Sequence, residues 1–228
     1  MTSILSGQTD ELPGESMAEL AYRAIEEMIV TRQLRPATMI SENQLSEQLG
    51  CGRTPIREAL QRLKFEGYVE IHPRRGVLVA PIDVVKQLEL LEVRRPLETL
   101  VVRLAAVRAV ERERSEMLLL GEEIRAAAAQ AEAVRYLHAT RAIHQAEARA
   151  ARNSVLASSL GVIHGLSRRF WYAYLDETGG FPENSEIHAR TLAAIVAGDA
   201  EAAAASADRL VDHLEQLTRR ALERRIVR

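Results

Sequence analysis

The stretch Arg53-Thr54-Pro55-Ile56-Arg57-Glu58-Ala59-Leu60-Gln61-Arg62-Leu63 decides the fold of the N-terminal part of the chain. Its apolar residues recur at helical spacing, which predicts an amphipathic helix with one buried stripe. The stripe consists of Ile56, Ala59, Leu60 and Leu63. Thr54 is predicted to cap this helix and Pro55 to take its first position. Another face carries the polar side chains of Arg53, Arg57, Gln61 and Lys64.

Two further helices are predicted upstream of this stretch. Ser41 and Gln44 have the spacing of a capping box, so the second helix should begin there. It should end at Gly50, which suits the left-handed position after a helix. Apolar residues at helical spacing predict a first helix from Ser16 to Gln33.

A short β-hairpin is predicted downstream, from alternating apolar residues in 68–72 and 77–80 joined by Pro73-Arg74-Arg75-Gly76. Two short helices with a glycine turn, followed by a hairpin, are typical of a winged helix-turn-helix that binds DNA. Six basic and three acidic residues lie between Arg53 and Arg75, a local surplus of +3. A basic helix face alone is as often merely solvated, but the basic hairpin tip favours phosphate contact.

Only helical periodicity follows from Asp83 onward, with predicted helices at 83–110, 113–131, 133–150, 153–177, 183–197 and 199–226. The predicted fold class is mainly α, with a winged helix-turn-helix, a small β-hairpin wing and a C-terminal all-α bundle of six or seven helices. The predicted domains are a disordered tail at 1–14, the DNA-binding domain at 15–81 and the helical domain at 82–228.

The composition limits the classes of protein to which this chain can belong. The 228 residues carry a formal net charge of −2, so DNA contact must come from a local patch. The single cysteine, Cys51, excludes an intramolecular disulfide. No apolar run approaches the roughly 20 residues of a membrane span, and no signal-peptide pattern opens the chain. We therefore expect a cytoplasmic protein without a membrane partner.

The N-terminal part resembles the DNA-binding domain of the GntR family. The matching residues include Gln33-Leu34-Arg35-Pro36, Ile40-Ser41-Glu42, the 53–60 stretch, Glu66-Gly67 and Arg75-Gly76. Two departures are Ala37, where the family has glycine, and Gly52, where it has serine or threonine. The second departure removes a hydroxyl that could contact phosphate. The resemblance implies DNA contacts by Asn43, Arg53, Thr54, Arg57, Arg75 and Gly76.

The C-terminal part is similar to the FCD ligand-binding domain, which defines the FadR-type subgroup of that family. The similarity lies in Arg94 with Glu98, Ile143-His144 to Asn153, Glu186-Ile187-His188, Ile195 to Ala202, and His213-Leu214. Many members bind a divalent metal through an aspartate and three histidines. The histidine positions match His144, His188 and His213, while His138 and His164 match no motif and are expected to be structural.

The aspartate position of that metal set is Thr140 here, four residues before His144. Threonine is a poor zinc ligand, but three neutral imidazoles can still hold Zn²⁺ or Ni²⁺. We expect a retained three-histidine site of reduced affinity. The resemblance also implies a small carboxylate effector, which Arg94 could pair with and Trp171 could contact. A structural Arg94–Glu98 ion pair is an equally good interpretation.

The sequence thus predicts a homodimeric transcription regulator, a repressor of a palindromic double-stranded operator that a small-molecule effector controls. Three alternatives stay open: the same regulator with a metal-free pocket for a hydrophobic effector, an architectural DNA binder without an effector, and a three-histidine metalloenzyme. No general base or nucleophile pattern accompanies the histidines, so we do not expect an enzyme.

Overall fold

The computed structural model describes residues 16–178 and 181–226. The predicted tail at 1–14 lies outside these residues, as do Gly179 and Gly180 of the predicted break between two helices. The chain divides into two compact units, with the boundary between Ile82 and Asp83.

The first unit is a winged helix-turn-helix, as predicted. Its helices are α1 (Met17–Val30), α2 (Glu42–Leu49) and α3 (Arg53–Phe65). Its strands are β1 (Met39–Ile40), β2 (Val69–His72) and β3 (Gly76–Val79), which form an antiparallel sheet in the order β1-β3-β2. The register pairs Ile71 with Val77 across the hairpin and Ile40 with the same valine on the other side. The sequence did not predict β1, because two residues are too few to show alternation.

The helix ends follow local chemistry, with two corrections. The capping box at Ser41 is confirmed, and Gly50 has a φ of 66°. The first helix ends at Val30 rather than at Gln33, since Thr31 already leaves the helical conformation. Thr54 does not cap α3, and Pro55 is its third residue rather than its first. The cap residue is Gly52, whose extended backbone lets Arg53 begin the helix, and no side chain supplies a cap hydrogen bond.

The core of the first unit lies between its helices and the sheet. The predicted α3 stripe is buried, together with Ile25 and Ile29 of α1 and Leu45 and Leu49 of α2. Val69, Val77 and Val79 bury the inner face of the hairpin. Burial of each such side chain contributes about 1.5–3 kcal/mol. This packing fixes α3 so that its polar face points outward.

The second unit contains six helices among the described residues, in agreement with the predicted bundle. They are α4 (Val84–Arg108), α5 (Glu111–Ala129), α6 (Ala133–Ala151), α7 (Ser154–Thr178), α8 (Phe181–Ala197) and α9 (Ala200–Ile226). Helix α4 packs against α6, α7, α8 and α9. Many core positions are alanine, which lets helices approach closely. None of the described helices is long and apolar enough to cross a bilayer.

Candidate functional site

The six residues predicted to contact DNA lie at the ends of three elements of the first unit. Asn43 is exposed in the first turn of α2. Arg53, Thr54 and Arg57 are exposed in the first two turns of α3, and Arg75 is exposed at the hairpin tip just before β3. The N-terminal turns of a recognition helix are the part that reaches base edges in the major groove.

Arg57 is held by a partner on the neighbouring helix. Its Nε donates to Oε2 of Glu42 at 2.7 Å, although the side chain is still 63% exposed. The ion pair joins the N-terminal ends of α2 and α3 and restricts the rotamers of Arg57. An arginine restricted in this way loses less entropy when it forms further hydrogen bonds.

Gly76 has a structural reason to be glycine. Its φ is +110°, and a Cβ added there would lie 2.8 Å from the carbonyl oxygen of Ile40 in β1. Any larger residue would push β1 away from β3. The predicted DNA contact at Gly76 therefore lies at a position where the wing itself needs glycine.

One basic residue counted in the local surplus belongs to the internal structure of this unit. Arg62 forms ion pairs with Glu19 at 2.7 Å and Glu66 at 3.0 Å, and its guanidinium lies 3.6 Å above the ring of Tyr22. Its side chain thus connects α1 and α3. No local signal in the sequence marked this role, because Glu19 is 43 residues distant.

A small cavity of about 40 Å³ lies among the helices of the second unit. It is lined by Arg94, Tyr136, Leu137, Thr140, His144, His164, Ser167, Arg168, Trp171, Phe181, Asn184, His188 and Leu214. Both predicted effector residues, Arg94 and Trp171, are in this lining. Since one water needs roughly 10–15 Å³, the cavity has room for about three waters or one small polar group.

Arg94 is buried and forms hydrogen bonds on three sides. Its Nε donates to Oε2 of Glu98 at 2.9 Å, and its Nη2 lies 3.4 Å from Oε1. Nη1 donates to Oγ of Ser167 at 3.1 Å, and Nη2 lies 3.3 Å from Nε2 of His144. The predicted structural pair Arg94–Glu98 is therefore present, in the wall of the cavity.

Three histidines gather beside this pair. The ring of His144 stacks on that of His164, with centroids 3.6 Å apart, and lies 5.5 Å from the ring of His188. Nε2 of His164 is 2.8 Å from Oε2 of Glu98. Because arginine only donates, Nε2 of His144 must accept from Arg94, so its proton lies on Nδ1. That Nδ1 is buried without a hydrogen-bond partner in the part of the chain that the structure describes.

Burial and charge set the protonation states of this cluster. Burial by itself would raise the pKa of Glu98, but the charge of Arg94 and the neighbouring His164 outweigh it and hold the pKa well below its usual range. Burial lowers the pKa of His144 well below its usual value and that of His188 to about 4. Burial also lowers the pKa of His164. At neutral pH the ionised groups of this cluster are thus Arg94 and Glu98.

Glu147, one turn after His144 on α6, has the opposite shift. Burial, followed by the negative charge of Glu98, raises its pKa well above the usual value. One of its oxygens, Oε2, is buried without a hydrogen-bond partner among the described residues. Since two nearby carboxylates cannot both ionise cheaply in a dry interior, Glu147 carries the proton.

Of the four positions of the metal-ligand set implied by the sequence, Thr140, His144 and His188 line this cavity. The Thr140 hydroxyl donates to the carbonyl of Tyr136 at 2.9 Å. Nδ1 of His213 lies 3.3 Å from Glu183, and His213 is not in the cavity lining. Among the described residues, one group of three has ligand atoms within 4.8 Å of one another: Glu98, His144 and His164. This group shares only His144 with the predicted set, while His188 lies beside it in the cavity lining.

Sequence reasoning missed Glu98 and His164 as members of this group. Glu98 was assigned only as a partner of Arg94, and His164 was expected to be structural because no motif surrounds it. The two lie 66 residues apart, on α4 and α7, so only the packing of these helices brings them together. The remaining histidine of the helical unit, His138, is exposed on α6.

Comparison with known protein families gives two matches. Residues 17–79 match the model described as bacterial regulatory proteins, gntR family. Residues 89–215, more than half of the chain, match the FCD domain. The first match covers the winged helix-turn-helix, and the second covers the cavity and every residue of its histidine cluster.

Curated relatives match over shorter segments. The Nta operon transcriptional regulator of Aminobacter aminovorans is 38% identical over 86 residues, which is 38% of this chain and 41% of that protein. The HTH-type transcriptional repressor RspR of Escherichia coli K12 is 30% identical over 99 residues, 43% of each chain. The matched segments span about a quarter to a half of the length of the curated relatives. These relatives are named as regulators and not as enzymes.

Solved structures share the fold over nearly the whole chain. Escherichia coli McbR/YncC aligns with a TM-score of 0.80 at 19% identity, covering 91% of this chain and 99% of that one. A GntR-type regulator from Rhodococcus sp. RHA1 aligns with a TM-score of 0.66 at 22% identity, covering 90% and 98%. With an N-terminal winged helix-turn-helix and a matching C-terminal domain, this chain belongs to the gntR family of bacterial regulatory proteins, in the subgroup that carries an FCD domain.

Proposed function

We propose that this protein is a transcription regulator, a homodimeric repressor that binds a palindromic double-stranded DNA operator and is controlled by a small carboxylate effector. The observation that carries the proposal is the pairing of two different sites in separate units. One is an exposed set of arginines at the start of α3, and the other is a cavity in the helical unit with Arg94 and three histidines in its lining.

Arginine placement supports the DNA-binding part. Arg53 is exposed at the first position of α3 and has no ion pair among the described residues. Arg57 is exposed one turn later, and Arg75 is exposed at the wing. Arginine can bind a guanine edge or a phosphate with two parallel hydrogen bonds. We assign α3 to the major groove and the wing to the phosphate backbone.

An apolar row on α4 supports the homodimer. Val93, Leu100 and Val107 follow one another at intervals of seven residues, and they are 55%, 42% and 73% exposed. Pro96 is exposed between the first two. A soluble protein seldom leaves such a row in water, and a row along one helix can pair with its own copy about a twofold axis. A dimer also provides the two recognition helices that a palindrome requires.

The cavity favours a small anionic effector over a hydrophobic one. Its volume of about 40 Å³ cannot hold an acyl chain. Arg168 lines it, as does His144 with its unpartnered Nδ1–H. The side chain of Asn184 adds an oxygen without a hydrogen-bond partner in the described part of the chain. A carboxylate would accept from these donors, and a polar group beside it could donate to Asn184.

A metal has less support than the effector. Zn²⁺ or Ni²⁺ at His144, His188 and His213 stays a prediction from the family resemblance. The hydroxyl of Thr140 already donates to the carbonyl of Tyr136, Nδ1 of His213 lies beside Glu183, and the FCD match concerns the family as a whole. The proposed control by an effector therefore includes no step through a metal. The metalloenzyme alternative has no support from the named relatives, which are regulators.

The test has two readouts on the full-length protein. Fluorescence anisotropy with the DNA upstream of its own gene should show nanomolar to micromolar affinity that falls steeply with salt. Trp171, the single tryptophan, lines the cavity, so its emission should change in a saturable way as an effector binds. A panel of small carboxylates should include one that changes the emission and weakens operator binding at the same concentration. Binding to random DNA with equal affinity would contradict the proposal.

A further inference from the structure

The Glu98–His144–His164 group has the spacing of a metal site, but a cation already lies in it. Nε2 of His144 and Oε1 of Glu98 are 3.9 Å apart. Two ligands on a tetrahedral zinc lie roughly 3.4 Å apart when the bonds are about 2.1 Å long. Nη2 of Arg94 contacts both atoms, at 3.3 and 3.4 Å. The guanidinium therefore takes the position from which a metal would bind this pair.

The lone pairs that a metal requires are also in use. Nε2 of His144 accepts a hydrogen bond from Arg94, and Glu98 accepts from Arg94 through both oxygens. The remaining potential ligand atom, Nε2 of His164, lies 2.8 Å from the Glu98 carboxylate and donates a hydrogen bond to it. A divalent ion would have to displace a buried, hydrogen-bonded guanidinium before it could bind both Nε2 of His144 and Oε1 of Glu98.

The charges of the cluster balance without a metal. Arg94 and Glu98 are both 2% exposed, and their charges cancel. The charged guanidinium of Arg168 lies close enough to affect His164 as well. A divalent ion added to this set would leave an uncompensated positive charge in a dry interior, which is strongly unfavourable.

We infer that Arg94 acts as an internal cation that replaces a metal in this chain, and that its guanidinium keeps the Glu98–His144–His164 group closed to Zn²⁺ and Ni²⁺. Removal of the guanidinium should convert the group into a divalent metal site. His188, whose ring lies 5.5 Å from that of His144, is placed to become a fourth ligand. The inference concerns the chemistry of the cavity, so it does not depend on operator binding.

The experiment measures bound metal in the full-length protein. Wild type, Arg94→Met and Arg94→Lys are incubated with Zn²⁺ or Co²⁺ and desalted, and metal per chain is measured by mass spectrometry. Methionine has a similar length without charge, and lysine keeps the charge. We expect no stoichiometric metal in wild type or Arg94→Lys, and about one ion per chain in Arg94→Met. Cobalt should give the visible absorption of a tetrahedral site in Arg94→Met only.

Two further variants make the result decisive. Adding His164→Ala to Arg94→Met should abolish metal binding, because it removes a ligand. If Arg94→Met fails to fold because Glu98 loses its partner, Arg94→Met with Glu98→His removes the unpaired charge and leaves three imidazoles. This double variant should bind zinc and gain thermal stability from it. One metal per chain in wild type that is lost in His144→Ala would overturn the inference, as would a folded double variant that binds none.

Discussion

The imidazole of His144 lies on that of His164 with ring centroids 3.6 Å apart and planes inclined by 17°. Two charged rings could not stack so closely in a buried site, and each neighbour's charge would oppose protonation of the other. Burial is the larger effect on both, and it lowers the pKa of each ring. The stack therefore ties the stability of the helical unit to pH.

The first prediction is that acidification destabilises the second unit. The pKa values of His144 and His164 are lowered and that of His188 is about 4, whereas an unfolded histidine titrates near 6.5. Below about pH 6.5 the unfolded chain takes up protons that the folded chain refuses, so stability falls as pH falls. Each proton contributes about 1.4 kcal/mol per pH unit. The free energy of unfolding is measured by urea titration at pH 7 and at pH 5.5, in the presence of a chelator, with Trp171 emission as the signal.

Glu147 provides the control for that prediction. Its raised pKa means that the folded chain holds a proton which the unfolded chain releases above about pH 4.5, so this group stabilises the fold as pH falls. Three histidines outweigh one carboxyl, so the net slope keeps its sign. Glu147→Gln removes the opposing group and should make the loss on acidification steeper. Stability that rises from pH 7 to 5.5 in wild type would contradict the assignment.

The second prediction concerns the arginines of α3. Arg53→Ala and Arg57→Ala should each weaken operator binding by about 1–3 kcal/mol, roughly 5- to 150-fold, because each removes a guanidinium that can donate two parallel hydrogen bonds. Glu42→Gln should tighten binding modestly, because removal of a negative charge beside the DNA phosphates outweighs the lost restriction of Arg57. Anisotropy titrations at several salt concentrations give both the affinity and its salt slope.

A matched control lies in the other unit. Arg112 is exposed on α5, and Arg112→Ala removes the same charge at a distance from α3 in the sequence. Its operator affinity should equal that of wild type. Equal losses in all three arginine variants would mean that net charge, and not the position on α3, determines binding.

The third prediction concerns the apolar row on α4. Leu100→Glu puts a charge in the centre of the row and should shift the protein from dimer to monomer, as measured by sedimentation velocity. Leu119→Glu is the control, because Leu119 is 67% exposed on α5 and lies outside the row. Its mass should stay that of the wild type. An unchanged dimer in Leu100→Glu would exclude this face as the interface.

The fourth prediction concerns the wing. Gly76→Ala should destabilise the first unit by about 1–3 kcal/mol and weaken operator binding, since its φ is +110° and the new Cβ would lie 2.8 Å from the Ile40 carbonyl. Gly161→Ala is the control, because Gly161 is exposed on α7 and no atom would lie within 4 Å of the new Cβ. Circular dichroism melting with operator titration measures both. Equal effects of the two variants would argue against the steric account.

The sequence by itself determined the helices and the hairpin of the wing. These features are local: a capping box joins residues three apart, a helical stripe repeats within a turn, and the hairpin is one alternating stretch. Short-range chemistry therefore predicted Ser41 and Gly50 correctly. It misplaced the cap of α3, because Thr54 and Gly52 both suit an N-terminal position and only the path of the chain into the helix selects one.

Only the tertiary structure decided the chemistry of the cavity. Glu98, His144 and His164 come from α4, α6 and α7, and no spacing along the chain records that their side chains converge. The surroundings of Arg94 also depend on residues that are distant in sequence. Its ion pair with Glu98 joins neighbouring turns of α4, but its contacts with His144 and Ser167 join residues that are 50 and 73 positions apart. Helical periodicity shows which face of a helix is buried, whereas packing between helices determines what that face meets.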